Sequence, residues 1–183
     1  MLEGIPDKRQ DKNTTSLKFK QDLIKYFESK KLYSCIELGT NAGWTTRVLS
    51  MIFEHVITIE QDYDLVKKAQ MNNNDRENIE YLNGDVYNSD WGIQEVIDVG
   101  MIDCIHSYEF VKQDIQNCLA QGVKYLIFDD YGLPEQMPSV KVAVDEFIKN
   151  NPTVDVTYIG EPAGSEPRIG RPLVDWEGVI IKL

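Results

Sequence analysis

Residues 33–43, Tyr33-Ser-Cys-Ile-Glu-Leu-Gly-Thr-Asn-Ala-Gly43, decide the fold. The first six (YSCIEL) form a short apolar run that halts at a glycine, the pattern of a buried strand. The next five (GTNAG) lead straight into a helical stretch from Trp44 to Phe53. Glycine permits a tight turn and lets backbone approach a ligand closely. Asn41 is one of the few other residue types that tolerates a left-handed conformation.

The same alternation continues outward in both directions. Before it, a helix starts after Ser16 and carries Leu17, Leu23, Ile24 and Phe27 towards a core. After it, strands are expected at Val56–Glu60, Ile79–Leu82, Val99–Ile105 and Val123–Phe128. Helices are expected between them at Tyr63–Asn72, Ser89–Ile97 and Ser107–Gln121, then at Ser139–Lys149. The end differs: strands Thr153–Ile159 and Gly178–Leu183 flank a Gly/Pro-rich loop, Gly160–Glu177, with no helix between them. Strands alternating with helices imply an α/β fold, a mostly parallel sheet covered on both faces, here closed by an antiparallel hairpin.

The chain of 183 residues suits one domain, 1–183, with residues 1–15 read as a mobile arm and 16–30 as an N-terminal helix. Its 42% hydrophobic content supports a core, and 19 Lys+Arg against 30 Asp+Glu give a net charge of −11. That balance argues against nucleic-acid partners, which are held by neutralising phosphates. No apolar run is long enough to span a bilayer, and the first residues carry no secretory h-region. Cys35, Cys104 and Cys118 are scattered without a CxxC pair and read as free thiols, which suits a cytoplasmic protein. Two histidines and three dispersed cysteines do not make a structural zinc site.

Ligands of open α/β sheets bind beyond the carboxyl ends of the strands. Acids recur there: Glu60 closes the second strand, and Asn83-Gly84-Asp85 follows the third. A carboxylate at Glu60 can accept hydrogen bonds from both ribose hydroxyls. One such acid is most simply a solvated strand end; several in succession beside a glycine loop describe an adenosine-type site.

With those residues in view, the chain resembles the class I S-adenosylmethionine-dependent methyltransferases, from about Tyr33 to Leu183. ELGTNAG is similar to their E/D-x-G-x-G-x-G loop, with Asn41 replacing the middle glycine. The resemblance implies a Rossmann-like, doubly wound, seven-stranded sheet. It implies that Glu37, Gly39, Thr40, Asn41 and Gly43 form the cofactor loop, with Gly39, Thr40 and Gly43 lining the methionine moiety. Glu60 would then hold the ribose, Gly84 and Asp85 the adenine, and Asp103 would adjoin the cofactor. A dinucleotide fold would want G-x-G-x-x-G and leaves the hairpin unexplained.

The fourth and fifth strands end in Asp103-Cys-Ile-His106-Ser-Tyr and Asp129-Asp130-Tyr. Adjacent strands would crowd Asp103, Asp129 and Asp130, and carboxylates so placed repel unless protonated or metal-bound. Hard oxygen ligands suit Mg²⁺, Mn²⁺ or Ca²⁺. Alternatively, Asp129 or Asp130 caps the following loop and Asp103 meets cofactor or solvent. The pattern resembles metal-dependent O-methyltransferases of the catechol, caffeoyl-CoA and antibiotic-sugar types, which implies Asp103, Asp129 and Asp130 as metal ligands. Where catechol-type enzymes carry a lysine base, this chain has His106. HSY is similar to the D-x-D-H-S-Y of a sugar-directed group, although Ile105 replaces its second acid. His106 is the candidate base, with Asp103 beside it; helix capping is the plainer role for His106.

The resemblance therefore implies O-methylation of a small hydroxylated acceptor with a divalent cation. A metal-independent methyltransferase and a non-catalytic adenosyl-ligand-binding module remain open. Segments Tyr131–Pro138 and Gly160–Glu177, the latter with Arg168, Arg171 and Trp176, are candidate covers for the site, and a homodimer could shelter it further. The N/D-P-P-Y/F segment of enzymes that methylate DNA amines is missing.

Overall fold

In a computed structural model, residues 2–11, 13–87, 91–134 and 139–183 are described. Helix α1 (Leu17–Phe27) precedes β1 (Ser34–Leu38), α2 (Trp44–Ile52), β2 (His55–Glu60) and α3 (Tyr63–Asn72). Then follow β3 (Ile79–Asn83), β4 (Val99–Ile102), α4 (Tyr108–Ala120), β5 (Tyr125–Phe128) and α5 (Ser139–Asn150). The chain closes with β6 (Asp155–Ile159) and β7 (Gly178–Lys182).

The seven strands form one sheet in the order β3-β2-β1-β4-β5-β7-β6. Every pairing among β1 to β5 is parallel, and β7 runs antiparallel to both β5 and β6. Strand order reverses between β1 and β4, which opens a crevice above their carboxyl ends. The register sets Leu38 against Ile102 and Ile102 against Phe128, so the residues after these strands emerge side by side.

Alternation in β1 divides the core. Ile36 and Leu38 pack with α4 and α5 residues such as Val111, Ile115, Val140 and Val144. Cys35 faces the other layer, with Phe19, Leu23 and Phe27 of α1 and Leu49 of α2. Ser16 caps α1, its Oγ accepting from the Phe19 amide at 3.0 Å. All three cysteines are free. No helix among the described residues is long and apolar enough to cross a membrane.

The helix expected at Ser89–Ile97 does not form over residues 91–97, and residues 89 and 90 lie outside the described set. Ile93 and Ile97 stand at helical i, i+4 spacing, but Gly92 has φ +70° and the Ile97 amide bonds to the Gln121 carbonyl. Ile97 is buried in the core cluster shared by the strands, α4 and α5. Likewise β4 stops at Ile102, short of the expected Ile105. The Asp103 amide makes a bond to the Leu38 carbonyl, beyond which the chain turns away.

Candidate active site

The GTNAG loop owes its shape to packing as much as to any ligand. Gly39 has φ +96°, and a Cβ there would stand 2.1 Å from the Asp103 carbonyl oxygen. The loop thus lies directly against the end of β4. Asn41 adopts the left-handed region with φ +48°, the conformation its side chain was expected to tolerate. Gly43 caps α2 at φ +76°, where a Cβ would meet Asn73 and Ala69.

Beneath the loop, Glu37 is buried and accepts hydrogen bonds from Thr46 Oγ1 at 2.5 Å and Thr58 Oγ1 at 2.7 Å. Thr58 also pairs with Thr40. Glu37 and Thr40 therefore brace the loop from below. Burial pushes the Glu37 carboxyl up to about 8, against the two threonine bonds and with Asp103 and Glu60 adding repulsion. An acid whose pKa is raised on folding holds a proton that the unfolded chain has lost, so stability falls as pH rises through that window. Melting temperature is expected to drop between pH 5 and 8, and Glu37→Gln to flatten that slope in scanning calorimetry.

Two hollows open above the crevice. The first, about 290 Å³, is bordered by Gly39, Asn41, Glu60, Asp85, Tyr87 and Asp103, among others. Glu60 is held in place by two amides at 3.0 Å, Asn41 N on Oε2 and Asp62 N on Oε1. Each oxygen keeps a lone pair for a ligand hydroxyl. Asp85 Oδ1 accepts from the Tyr87 amide at 2.9 Å. Gly84 supports this corner through its amide bond to the Glu60 carbonyl rather than by lining the hollow.

The second hollow, about 370 Å³, shares Asn41, Asp103 and Cys104 with the first and adds His106, Asp129, Asp130, Lys8, Asn13, Thr14 and Arg168. The three acids expected to converge do so. His106 Nε2 lies 3.4 Å from Asp103 Oδ1 and 3.9 Å from Asp130 Oδ2, poorly aligned for a hydrogen bond. Burial opposes charge on His106, yet Asp103, Asp130 and Asp129 outweigh it and push its pKa up to about 9. Ser107, not His106, is the N-cap of α4.

Lys8 is the residue that sequence reasoning missed. Its Nζ sits 2.6 Å from Asp130 Oδ1, 3.3 Å from Asp129 Oδ2 and 3.7 Å from Glu177 Oε1, with 1% of the side chain exposed. Burial works against the ammonium, but these acids raise its pKa overall. Burial raises Asp130 too, yet Lys8 and His106 bring it below the usual carboxylate range. Burial, with the neighbouring Asp130 adding repulsion, pushes Asp129 well up. Asp130 takes φ +55°, which an aspartate tolerates better than most residues.

The segment expected as a mobile arm has specific partners. Ile5 and Lys8 are buried, Asp7 Oδ2 accepts from the Leu17 amide at 3.0 Å, and Arg9 reaches Glu161 at 3.7 Å. Polarity in this stretch serves pairing with buried acids and carbonyls. Within the 160–177 loop, Arg168 borders the second hollow, whereas Arg171 is exposed and outside it. The other candidate cover, Tyr131–Pro138, lies outside the described residues from position 135 onward.

The expected divalent cation does not fit this arrangement. Among the described residues, no group of three or more His, Cys, Asp or Glu side chains is arranged to hold a metal ion. Asp129 Oδ2 and Asp130 Oδ1 face the Lys8 ammonium and Asp103 faces His106, whereas Asp129 Oδ1 is buried with no hydrogen-bond partner among the described residues. Crowded carboxylates need a counter-charge, and here basic side chains supply it.

No family model and no curated protein matches the chain. Solved structures do match along nearly its whole length. Cofactor-bound Rv0187 from MTB superposes with a TM-score of 0.74 at 16% identity, covering 93% of this chain and 81% of that one. An O-methyltransferase from Bacillus cereus in complex with SAH gives 0.64 at 19%, covering 89% and 77%. An rRNA methylase from Streptococcus thermophilus gives 0.67 at 16%, covering 92% and 98%. The fold is that of the class I methyltransferases, as the glycine loop, the strand-end acids and the terminal hairpin anticipated.

Proposed function

We propose that this protein transfers the methyl group of S-adenosylmethionine to a hydroxyl of a small molecule. The observation that carries the reading is the pair of adjoining hollows. One offers Glu60 and Asp85 to an adenosine, the other places His106 and Asp103 beside it, and Asn41, Asp103 and Cys104 border both. A ligand spanning them would present its reactive end to His106. Fold likeness is shared with an rRNA methylase and so says nothing of the acceptor. A chain with net charge −11 is poorly suited to an RNA acceptor, and a hollow of about 370 Å³ suits a small one.

Methyl transfer from a sulfonium is an in-line displacement: the new O–C bond forms as the S–C bond breaks. The protein's main task is alignment, worth up to roughly 7–11 kcal/mol. The acceptor proton passes to the neutral form of His106, and Asp103 stabilises the imidazolium that results. Divalent-cation assistance by Asp103, Asp129 and Asp130 is the competing reading and requires Lys8 to withdraw from the acid pair.

Calorimetry with S-adenosylmethionine and S-adenosylhomocysteine in chelator is the test, followed by mass analysis of hydroxylated acceptors such as catechols and sugars. Saturable donor binding that weakens at least tenfold in Glu60→Ala is expected. Lack of donor binding would end the reading. Donor binding without methylation of any acceptor across a broad panel would leave a binding module.

A further inference from the structure

The residue closest to the acid pair is a lysine from a segment that begins the chain, and its placement is not incidental. Lys8 is fixed through several independent fastenings. Lys20 Nζ, itself buried, donates to the Pro6 carbonyl at 3.0 Å and to the Thr15 carbonyl, one on each side of Lys8. The Ser16 amide donates to Glu177 Oε1 at 2.9 Å, and Arg9 Nε donates to the Glu166 carbonyl at 3.3 Å. The strap is thus tied to α1 and to the 160–177 loop, and among its described residues Lys8 carries its charge inward to Asp129 and Asp130.

We propose that the Lys8 ammonium is the resident cation of this acid pair and that, with the strap seated, the site is closed to divalent metal ions. Mg²⁺ needs oxygens at about 2.0–2.1 Å and Ca²⁺ at about 2.3–2.6 Å, several at once. Lys8 Nζ, 2.6 Å from Asp130 Oδ1 and 3.3 Å from Asp129 Oδ2, already stands in the space between those oxygens. A metal ion there would face an ammonium at contact distance. The remaining acid, Asp103, has His106 at 3.4 Å, and Arg168 approaches Asp130 at 3.8 Å. Asp103, Asp129 and Asp130 thus each have a basic side chain within 4 Å. Resting on the methyl-transfer reading, the positive charge beside the acceptor oxygen is supplied by the chain itself.

The test reads cation binding, not turnover. Mn²⁺ is titrated into the metal-free full chain by electron paramagnetic resonance, and melting temperature is followed with Mg²⁺ or Ca²⁺. Wild type and Lys8→Arg are expected to show no saturable site and no shift up to about 1 mM, the weak end of biological calcium sites. Lys8→Met, which keeps the aliphatic stem and removes the charge, is expected to bind one Mn²⁺ at least tenfold more tightly than wild type. One equivalent of Mn²⁺ bound to wild type below that concentration would overturn the proposal. So would a folded Lys8→Met that binds no better. The wild-type titration decides on its own should Lys8→Met fail to fold. Failure of donor binding would end the methyl-transfer reading and leave the cation result standing.

Discussion

Replacing His106 with glutamine is expected to lower kcat/KM for the acceptor by roughly 10²- to 10⁴-fold, the usual contribution of a positioned general base. Glutamine keeps a polar amide near Asp103 but cannot take up a proton, so the loss reports proton transfer rather than packing. The pH profile separates the two. With its pKa pushed up to about 9 by Asp103, Asp130 and Asp129 against the opposing effect of burial, His106 is mostly protonated at neutrality. About one molecule in a hundred then holds the free base at pH 7. For a base, activity follows the unprotonated form. Wild-type kcat/KM should therefore climb almost tenfold per pH unit from pH 6 and level off near 9, whereas the glutamine variant should lack that limb. Donor affinity should change less than threefold, since His106 does not border the hollow that holds Glu60 and Asp85. An unchanged pH limb in the variant would remove His106 from the proton path.

The same residue shows what the sequence could and could not convey. Apolar period and glycine punctuation made the sheet, its order of strand and helix and its closing hairpin legible, because each reflects burial of a local face. Strand ends are fixed by those faces, so Glu60, Asp85, Asp103, Asp129 and Asp130 could be set at the carboxyl ends of successive strands, whereas their sorting between two hollows could not be read. The protonation of His106 could not, since it depends on three carboxylates brought close only by the fold. Lys8 was less legible still. Its partners lie 121 and 122 residues away, and a polar, aperiodic stretch carries no local mark of a buried ion pair. The acids' counter-charge was predictable in kind, but its source was not: a carboxylate cluster calls for a cation without specifying a metal or an ammonium. The false helix over 91–97 fails for the converse reason, since apolar residues at helical spacing can also be buried one at a time by a loop whose hydrogen bonds go elsewhere.

Removal of Glu177 should cost the protein about 3–5 kcal/mol of stability. Its side chain is fully buried and accepts from the Ser16 amide at 2.9 Å, from Ser16 Oγ, and from the Glu161 amide at 3.1 Å. Lys8 Nζ adds a cation at 3.7 Å. One carboxylate therefore joins the strap, the start of α1 and both ends of the 160–177 loop. Glu177→Ala would leave those donors buried without an acceptor and one negative neighbour of Lys8 gone. Breaking a buried charged network in this way costs about 3–5 kcal/mol. At roughly 2–4 °C per kcal/mol for a domain of this size, the melting temperature should fall by about 6–20 °C. Glu177→Gln retains one acceptor oxygen and should lose less. The backbone bonds of residue 177, Tyr131 N to its carbonyl and its own amide to Glu161 O, survive both changes, so the loss should be local to the strap. Limited trypsin digestion should then cut first at Lys8 or Arg9 in the alanine variant, ahead of any site in the sheet. A melting temperature within 2 °C of wild type, with Lys8 still protected, would show that Asp129 and Asp130 hold the strap without Glu177.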